Sequence, residues 1–538
     1  MNIQFLKQPD KAVFFLLIYA LILLIPAYFI HLGMMPFILD ESTRAIVALE
    51  MIHNDNYIIP TINGEFYYNK PPLFNWILIA FVKLTGSQSE FIFRLPVVLS
   101  LFFFALTIYL TQRKELGKKV AFFSAIALLT CGRILIYDSM KGLLDINFSW
   151  LIYLMIWLIW YYSKKEKWYH LFIFVWIITT LAFLMKGLPA LVFLGISLVT
   201  WFLAIKDIRR LFKLPNILGF LVFLVLVGAY FYAYHRSNNL ENFFSALYSE
   251  SAKRTFLENP LWKNIKHFIT FPFEFIYHFL PWSIFVLSLF SAERIKIIRT
   301  NPFTRFLSLM FLGNIIIYWL SPAIYARYLF MFVPLLSGVV FYAYIKAENE
   351  IFTERYIVKP ALVLFMFTIV ILISLSPWFA DISIYKFFWL KYGILLVLGF
   401  IPMVLFMRHK LNLILPLFVL LLVMRLAFNL YILPDRLQSG RDDYQKRGAI
   451  TAGELTRGRE VYLLEDTRIK HISTFYFMVA NGNPLKRWRE APVPGKVYII
   501  EKAKASLYPA HKTLFIFETE VYGIKLALVE FFDEEDSN

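Results

Sequence analysis

The sequence predicts a polytopic α-helical membrane protein of about thirteen spans, ending in a small α/β domain outside the membrane. Three observations carry this reading. Of 538 residues, 59% are hydrophobic and the mean hydropathy is +0.62, more apolar surface than a soluble chain of this length could hide. The apolar residues come in runs of about twenty, the length that crosses a hydrocarbon core. Basic residues lie mostly in short segments between those runs, and past about residue 435 charged residues return in a different pattern.

The first run, 12–32, follows Lys7 and Lys11. It is too long for a signal-peptide core and lacks a small-residue cleavage site, so it reads as a retained helix. Further spans fall at 94–112, 119–137, 145–162, 168–185, 188–205, 216–235, 273–291, 306–320, 328–345, 358–378, 391–407 and 411–431. Six loops are basic: Arg113 to Lys119, Lys164 to Lys167, Arg209 to Lys213, Arg294 to Arg299, Lys346 to Lys359, and Arg408 with Lys410. The positive-inside rule puts all six and the N-terminus in the cytoplasm, and an odd number of spans puts the C-terminus outside. The net charge of +17 is thereby assigned to topology and anionic headgroups rather than to nucleic acid, for which no motif is present. The single cysteine, Cys131, excludes an intrachain disulfide and a Cys-based zinc site, and reads as a packing residue.

Three segments are expected on the outer side. The loop 33–93 carries a surface helix at 41–53 and a second helix at 73–85, opened by Pro71-Pro72, whose missing N–H groups cost nothing at a helix start. The apolar face of each is expected in the headgroup plane. The second segment is 236–272 and the third is the tail. Together these readings divide the chain into a membrane domain, 1–434, and an α/β domain, 435–538. In the tail, 440–457 reads as helix, and alternating runs at Val461–Glu465, Thr474–Val479, Lys496–Glu501, Leu514–Glu518 and Lys525–Phe531 read as strands.

Charged groups at a membrane edge carry the functional expectation, because a charge near a span centre costs about 2.5–3.5 kcal/mol on insertion scales. Asp40 can cap the helix it precedes, or take a proton from an acceptor hydroxyl or orient an acceptor phosphate. Asp138 can pair with Arg133 or serve as a second site acid. Asp145, seven residues on, lies on roughly the same helical face and can support or replace it. Lys70 and Lys186 can snorkel to headgroups or, with Arg327, neutralise a lipid phosphate. Arg254 and His267 are weaker candidates, and Glu41, Asn69 and Tyr328 flank the stronger ones. Cations gathered with carboxylates on one side of a membrane point to an enzyme acting on a lipid-linked substrate. The rival readings are a lipid-linked sugar transporter, for which matching halves and midplane charges are missing, and a relative that binds lipid-linked sugar without turning it over.

The stretch Asp40-Glu41-Ser-Thr-Arg44, through Asn63-Gly64-Glu65, to Asn69-Lys70-Pro71-Pro72 resembles the bacterial form of the dolichyl-phosphate-mannose protein mannosyltransferases. It is similar above all to the aminoarabinose transferases that modify lipid A. Arg133 to Asp138, Lys186-Gly187-Leu188-Pro189, Pro281-Trp282, and Ser321 through Arg327-Tyr328 to Pro334 agree, so the resemblance covers about residues 10–435. It implies a type C glycosyltransferase (GT-C) fold, a polyprenyl-phosphate sugar donor, inversion at the anomeric carbon, and a lipid or protein acceptor. It places the enzyme in a bacterial cytoplasmic membrane, with the active site and the tail on the periplasmic side. Asp40 and Asp138 match the acidic positions of the family, Lys70 the Lys before the double Pro, and Lys186 the Lys of the Lys-Gly turn. Asn69 departs from the Glu common in the family and keeps hydrogen bonding without the charge. The resemblance leaves a divalent metal open, since some relatives require one and others do not.

Overall fold

The computed structural model describes residues 11–38, 40–252, 259–379, 385–409, 411–508, 511–519 and 523–532. The chain opens with α1 (Lys11–Phe29) and α2 (Asp40–His53). A hairpin of β1 (Thr61–Ile62) and β2 (Glu65–Phe66) leads to α3 (Leu73–Thr85). Then follow α4 (Glu90–Gln112), α5 (Lys118–Thr130), α6 (Gly132–Ile136), α7 (Asp145–Ser163), α8 (Trp168–Lys186), α9 (Pro189–Ala204) and α10 (Leu214–His235). Next come α11 (Leu240–Ala252), α12 (Leu261–His278), α13 (Ala292–Thr300), α14 (Pro302–Trp319) and α15 (Phe332–Lys346). The membrane part closes with α16 (Lys359–Phe379), α17 (Phe388–His409), α18 (Ile414–Ala427) and α19 (Leu433–Ser439).

Among the described residues, eight helices are long and apolar enough to span a membrane, or nine if the bent pair α5 and α6 counts as one span. Of the other four expected spans, 188–205 and 328–345 fall on the shorter helices α9 and α15, and 306–320 falls on α14, which is long enough but not apolar enough. The expected span 273–291 is broken: α12 ends at His278 and a 3-10 turn, Trp282–Leu289, follows. The bend between α5 and α6 is 44° and has a local cause. Cys131 is extended, and the Gly132 amide donates to the Leu280 carbonyl at 2.7 Å instead of continuing the helix. That break turns the chain so that Asp138 faces inward.

The outer loop differs from expectation in one respect. α3 opens after Pro72 and closes on Gly86 in the left-handed region (φ 67°), as read from the sequence. α2, however, is not a surface helix: every residue from Glu41 to Met51 is buried. Its charges are internal because each has a partner. Glu41 pairs with Arg94, Arg44 donates to the Tyr67 hydroxyl at 2.7 Å, and Glu50 accepts from Thr61 Oγ1 and the Asn63 and Gly64 amides. Burial pushes the Glu50 carboxyl up to about 7, and those three donors only partly oppose it.

The tail folds as an α/β domain from α20 (Arg441–Leu455), β3 (Val461–Leu464), α21 (His471–Asn481), β4 (Lys486–Trp488), β5 (Val497–Glu501), β6 (His511–Glu518) and β7 (Lys525–Phe531). The sheet order is β4-β3-β5-β7-β6, with β3 parallel to β4 and β5 and with β7 antiparallel to β5 and β6. Both faces of the central strands are covered, Leu463, Val497 and Leu528 on one and Tyr462, Tyr498 and Val529 on the other. The segment Thr474–Val479 corrects the sequence reading: it lies inside α21, not in a strand. Its aromatic residues suit a strand locally, but as a helix they pack in two directions. Phe477 enters the sheet core, while Phe475 lies 4.7 Å from Phe37 and 5.6 Å from Phe93 of the membrane part, ring to ring. The three-residue edge strand β4, with two charges, was missed for lack of any pattern.

The two parts are joined by polar contacts as well. The Tyr476 hydroxyl donates to Glu90 at 2.8 Å and accepts from the Phe37 amide at 3.1 Å. Lys446 pairs with Glu90, and the Arg487 amide donates to the Asn63 carbonyl. The tail is thus anchored to α2, to α4 and to the β1–β2 hairpin.

Candidate active site

Four charged side chains form a continuous chain of ion pairs. Asp40 is the first residue of α2, and its carboxylate is 61% exposed, unlike its neighbours. Arg327, in the short turn Ala326–Leu329 before α15, reaches Asp40 Oδ2 through Nη2 at 3.0 Å. The same guanidinium places Nε 3.1 Å from Asp145 Oδ2. Asp145 Oδ1 accepts from Lys186 Nζ at 2.6 Å. Asp145 and Lys186 sit at the start of α7 and the end of α8, so the helical hairpin brings them together, and each charge lies at the helix end whose dipole favours it. Lys186 also lies 3.8 Å from the ring centre of Tyr328, and Arg327 covers Tyr325 at 4.5 Å. Asp145, Lys186 and Arg327 are buried, and the chain opens to the exterior at Asp40.

Asp138 belongs to a neighbouring cluster. Its Oδ2 accepts from Arg133 Nε at 2.6 Å, and Oδ1 lies 4.0 Å from Lys141 Nζ. Asp138 Oδ1 and Lys141 Nζ are both buried without a hydrogen-bond partner among the described residues. Burial lowers the Lys141 ammonium to about 8, with Asp138 and Glu41 opposing the shift and Arg133 and Arg327 adding to it. Those influences place Lys141 between the two clusters. Arg425 of α18 holds the turn under Asp138 by donating to the Leu135 carbonyl and to Ser139 Oγ.

Glu41 supports the arrangement from behind. Arg94 Nε and Nη2 bind its two oxygens at 2.9 and 3.1 Å, the Ile38 amide donates to Oε2, and the Gly142 amide donates to Oε1 at 2.7 Å. With both oxygens occupied and buried, Glu41 ties the entry to α2, the start of α4 and the loop after Asp138 into one unit. Gly142 is required by the close approach: a Cβ there would lie 2.9 Å from the Phe93 carbonyl.

The remaining sequence candidates are placed as follows. Tyr328 is buried against Lys186. Lys70 is half-buried and Asn69 exposed in the turn between β2 and α3, on the loop whose Tyr67 binds Arg44. His267 of α12 is buried, and its Nε2 bonds the Tyr318 carbonyl at 3.0 Å. Arg254 lies outside the described residues. Among the described residues no three His, Cys, Asp or Glu side chains gather as metal ligands, and Glu41, Asp138 and Asp145 are committed to cations. This donor set does not fit a metal. The sequence reading missed Lys141, Arg94 and Arg425. Lys141-Gly142 repeats the Lys-Gly pair of Lys186-Gly187 and was a usable signal, whereas the two arginines inside apolar helices carried none beyond their cost.

Comparisons agree with this architecture. Residues 69–234 match the family model "Dolichyl-phosphate-mannose-protein mannosyltransferase". ArnT from Cupriavidus metallidurans bound to undecaprenyl phosphate superposes with a TM-score of 0.69 at 19% identity, covering 96% of this chain and 98% of that one. The chain shares the fold of that ArnT over nearly its whole length. The apo form of the same ArnT gives a TM-score of 0.68 at 18% identity, with the same coverage. An uncharacterized protein of Aquifex aeolicus (strain VF5) is 30% identical over 289 residues, 51% of this chain and 54% of that protein, so the chain spans about half of that relative's length. The solved structures establish the fold, and the reaction has to be argued from the site.

Proposed function

We propose that this protein is an inverting glycosyltransferase. It moves a sugar from a polyprenyl-phosphate donor to a lipid A-like lipid or a protein at the outer face of the cytoplasmic membrane. The observation that carries the proposal is the ion-pair chain from exposed Asp40 through Arg327 and Asp145 to buried Lys186. An exposed carboxylate backed by two buried cations suits a reaction in which an anion leaves and a hydroxyl or phosphate oxygen attacks. ArnT, which shares the fold, has been solved with undecaprenyl phosphate bound, and this supports a lipid phosphate as the donor's leaving group.

The acceptor oxygen forms a bond to the anomeric carbon as the bond from that carbon to the donor phosphate breaks. Attack from the opposite face inverts the centre, through a transition state with oxocarbenium character. Arg327 and Lys186, joined by Lys70 from the α3 turn, take up the charge growing on the leaving phosphate. Asp40 orients the acceptor and takes its proton when the acceptor is a hydroxyl; a phosphate acceptor attacks already ionised. The products are the glycosylated acceptor and a polyprenyl phosphate. Asp138, tied to Arg133, tunes the field around the site rather than meeting the acceptor.

The test uses purified protein in nanodiscs, radiolabelled polyprenyl-phosphate sugars and an envelope lipid and protein extract. Label is expected to pass into the extract with wild type, and Asp40→Asn is expected to lower the rate about 10²–10⁴-fold. Label that stays in the donor with every sugar tried, or an Asp40→Asn variant as active as wild type, would sink the proposal.

A further inference from the structure

His471 is the first residue of α21 and belongs to the C-terminal domain, yet it reaches the helix that carries Asp40. Its Nδ1 lies 2.7 Å from Thr43 Oγ1. Thr43 follows Asp40 by three positions, one turn along the same face of α2. Both the Asp40 carboxylate and the Arg44 guanidinium act on the imidazole, the first favouring its protonation and the second opposing it. Burial is the larger influence and holds the imidazole below its ordinary value, so the ring is neutral near pH 7.

A neutral imidazole offers one hydrogen bond at each nitrogen. Thr43 occupies Nδ1, while Nε2 has no hydrogen-bond partner among the described residues, and the half-buried side chain stays within reach of the exterior. The ring is held from the domain side too, because the amide of Lys470, the residue before it, donates to Thr519 Oγ1 at 3.0 Å. The result is an unspent hydrogen-bonding nitrogen on a ring that lies within the electrostatic reach of Asp40, the exposed end of the ion-pair chain. It does not resemble the donor-phosphate groups, which are charged and lie on the buried side of Asp40.

We infer that His471 is an acceptor-binding residue supplied by the C-terminal domain, its Nε2 hydrogen-bonding an oxygen of the acceptor next to Asp40. This rests on the glycosyltransferase reading above. The domain thereby takes part in acceptor choice directly, through a side chain in the active site.

The experiment titrates an envelope lipid and protein extract against wild type, His471→Ala and His471→Gln in nanodiscs, at a fixed concentration of each labelled undecaprenyl-phosphate sugar in turn. Loss of one hydrogen bond is expected to raise the half-saturating acceptor concentration about five- to tenfold in His471→Ala, with the donor KM and the acceptor-independent hydrolysis of donor unchanged. His471→Gln, whose amide reaches the Nε2 position, is expected to recover most of the loss. Unchanged acceptor saturation in His471→Ala beside an active wild type overturns the inference and leaves the glycosyltransferase reading standing. So does a donor KM that rises in parallel, or a His471→Gln variant as impaired as His471→Ala. A wild type that labels nothing overturns both.

Discussion

Arg327 serves an exposed and a buried carboxylate at once, and this sharing sets what the single residues can do. Asp145 neutralises two cations, so Asp145→Asn leaves Lys186 and Arg327 in a buried site without their common anion. Breaking a buried pair costs about 3–5 kcal/mol, and Tm is expected to fall accordingly. Undecaprenyl phosphate then restores a negative charge to the same cations, so it is expected to raise the Tm of Asp145→Asn more than that of wild type. A thermal-shift series in detergent decides this, and an equal shift in both proteins would remove Lys186 and Arg327 from phosphate binding. The acids and cations of this chain were legible in the sequence because charge in an apolar context is costly and therefore conspicuous. Their pairings were not. Asp40 and Arg327 are 287 positions apart, and nothing local says that Arg327 also serves Asp145 while Asp138 takes Arg133.

At the scale of elements, α2 holds the site in place through its buried charges. Glu50, at its far end, fastens the β1–β2 hairpin with three hydrogen bonds. Burial raises its pKa to about 7 from the ordinary carboxyl value of 4.5, so the folded protein holds a proton there that the unfolded chain releases. The contribution of Glu50 is therefore most favourable at low pH and declines as pH rises from about 4.5 to 7, by at most about 3 kcal/mol. Amide exchange at 59–66 is expected to be slower at pH 5 than at pH 8 once the intrinsic rate is corrected, and Glu50→Gln is expected to flatten the difference. Exchange that slows with rising pH would reverse the sign and refute the argument. Helix periodicity and Pro-Pro punctuation made most elements readable. What escaped were elements decided by partners: α2, amphipathic enough to look interfacial, is buried by the C-terminal domain, and 474–479 is helical because it serves two cores. The break at Gly132 depends on a carbonyl 148 positions away.

At the scale of the whole molecule, composition locates a boundary near 435, but the contacts do not respect it. Glu90, Phe37 and Thr43 each bond to the C-terminal domain. A chain cut after residue 434 loses the cover over Phe37 and Phe93 and leaves the buried Glu90 without Lys446 and Tyr476. Its Tm is expected to fall well below that of the full chain, whatever acceptor is present, and an unchanged Tm would restore the picture of a detachable domain. The ion-pair chain also has a consequence for biogenesis. As the polypeptide leaves the ribosome, Asp145 meets Lys186 within a single helical hairpin, 41 positions apart, so that pair can form early and ease insertion of both charges. Arg327 arrives only when most of the membrane part has been threaded, and His471 later still. A nascent chain that has passed Lys186 but not Arg327 therefore carries a neutralised pair before the four-residue ion-pair chain can exist.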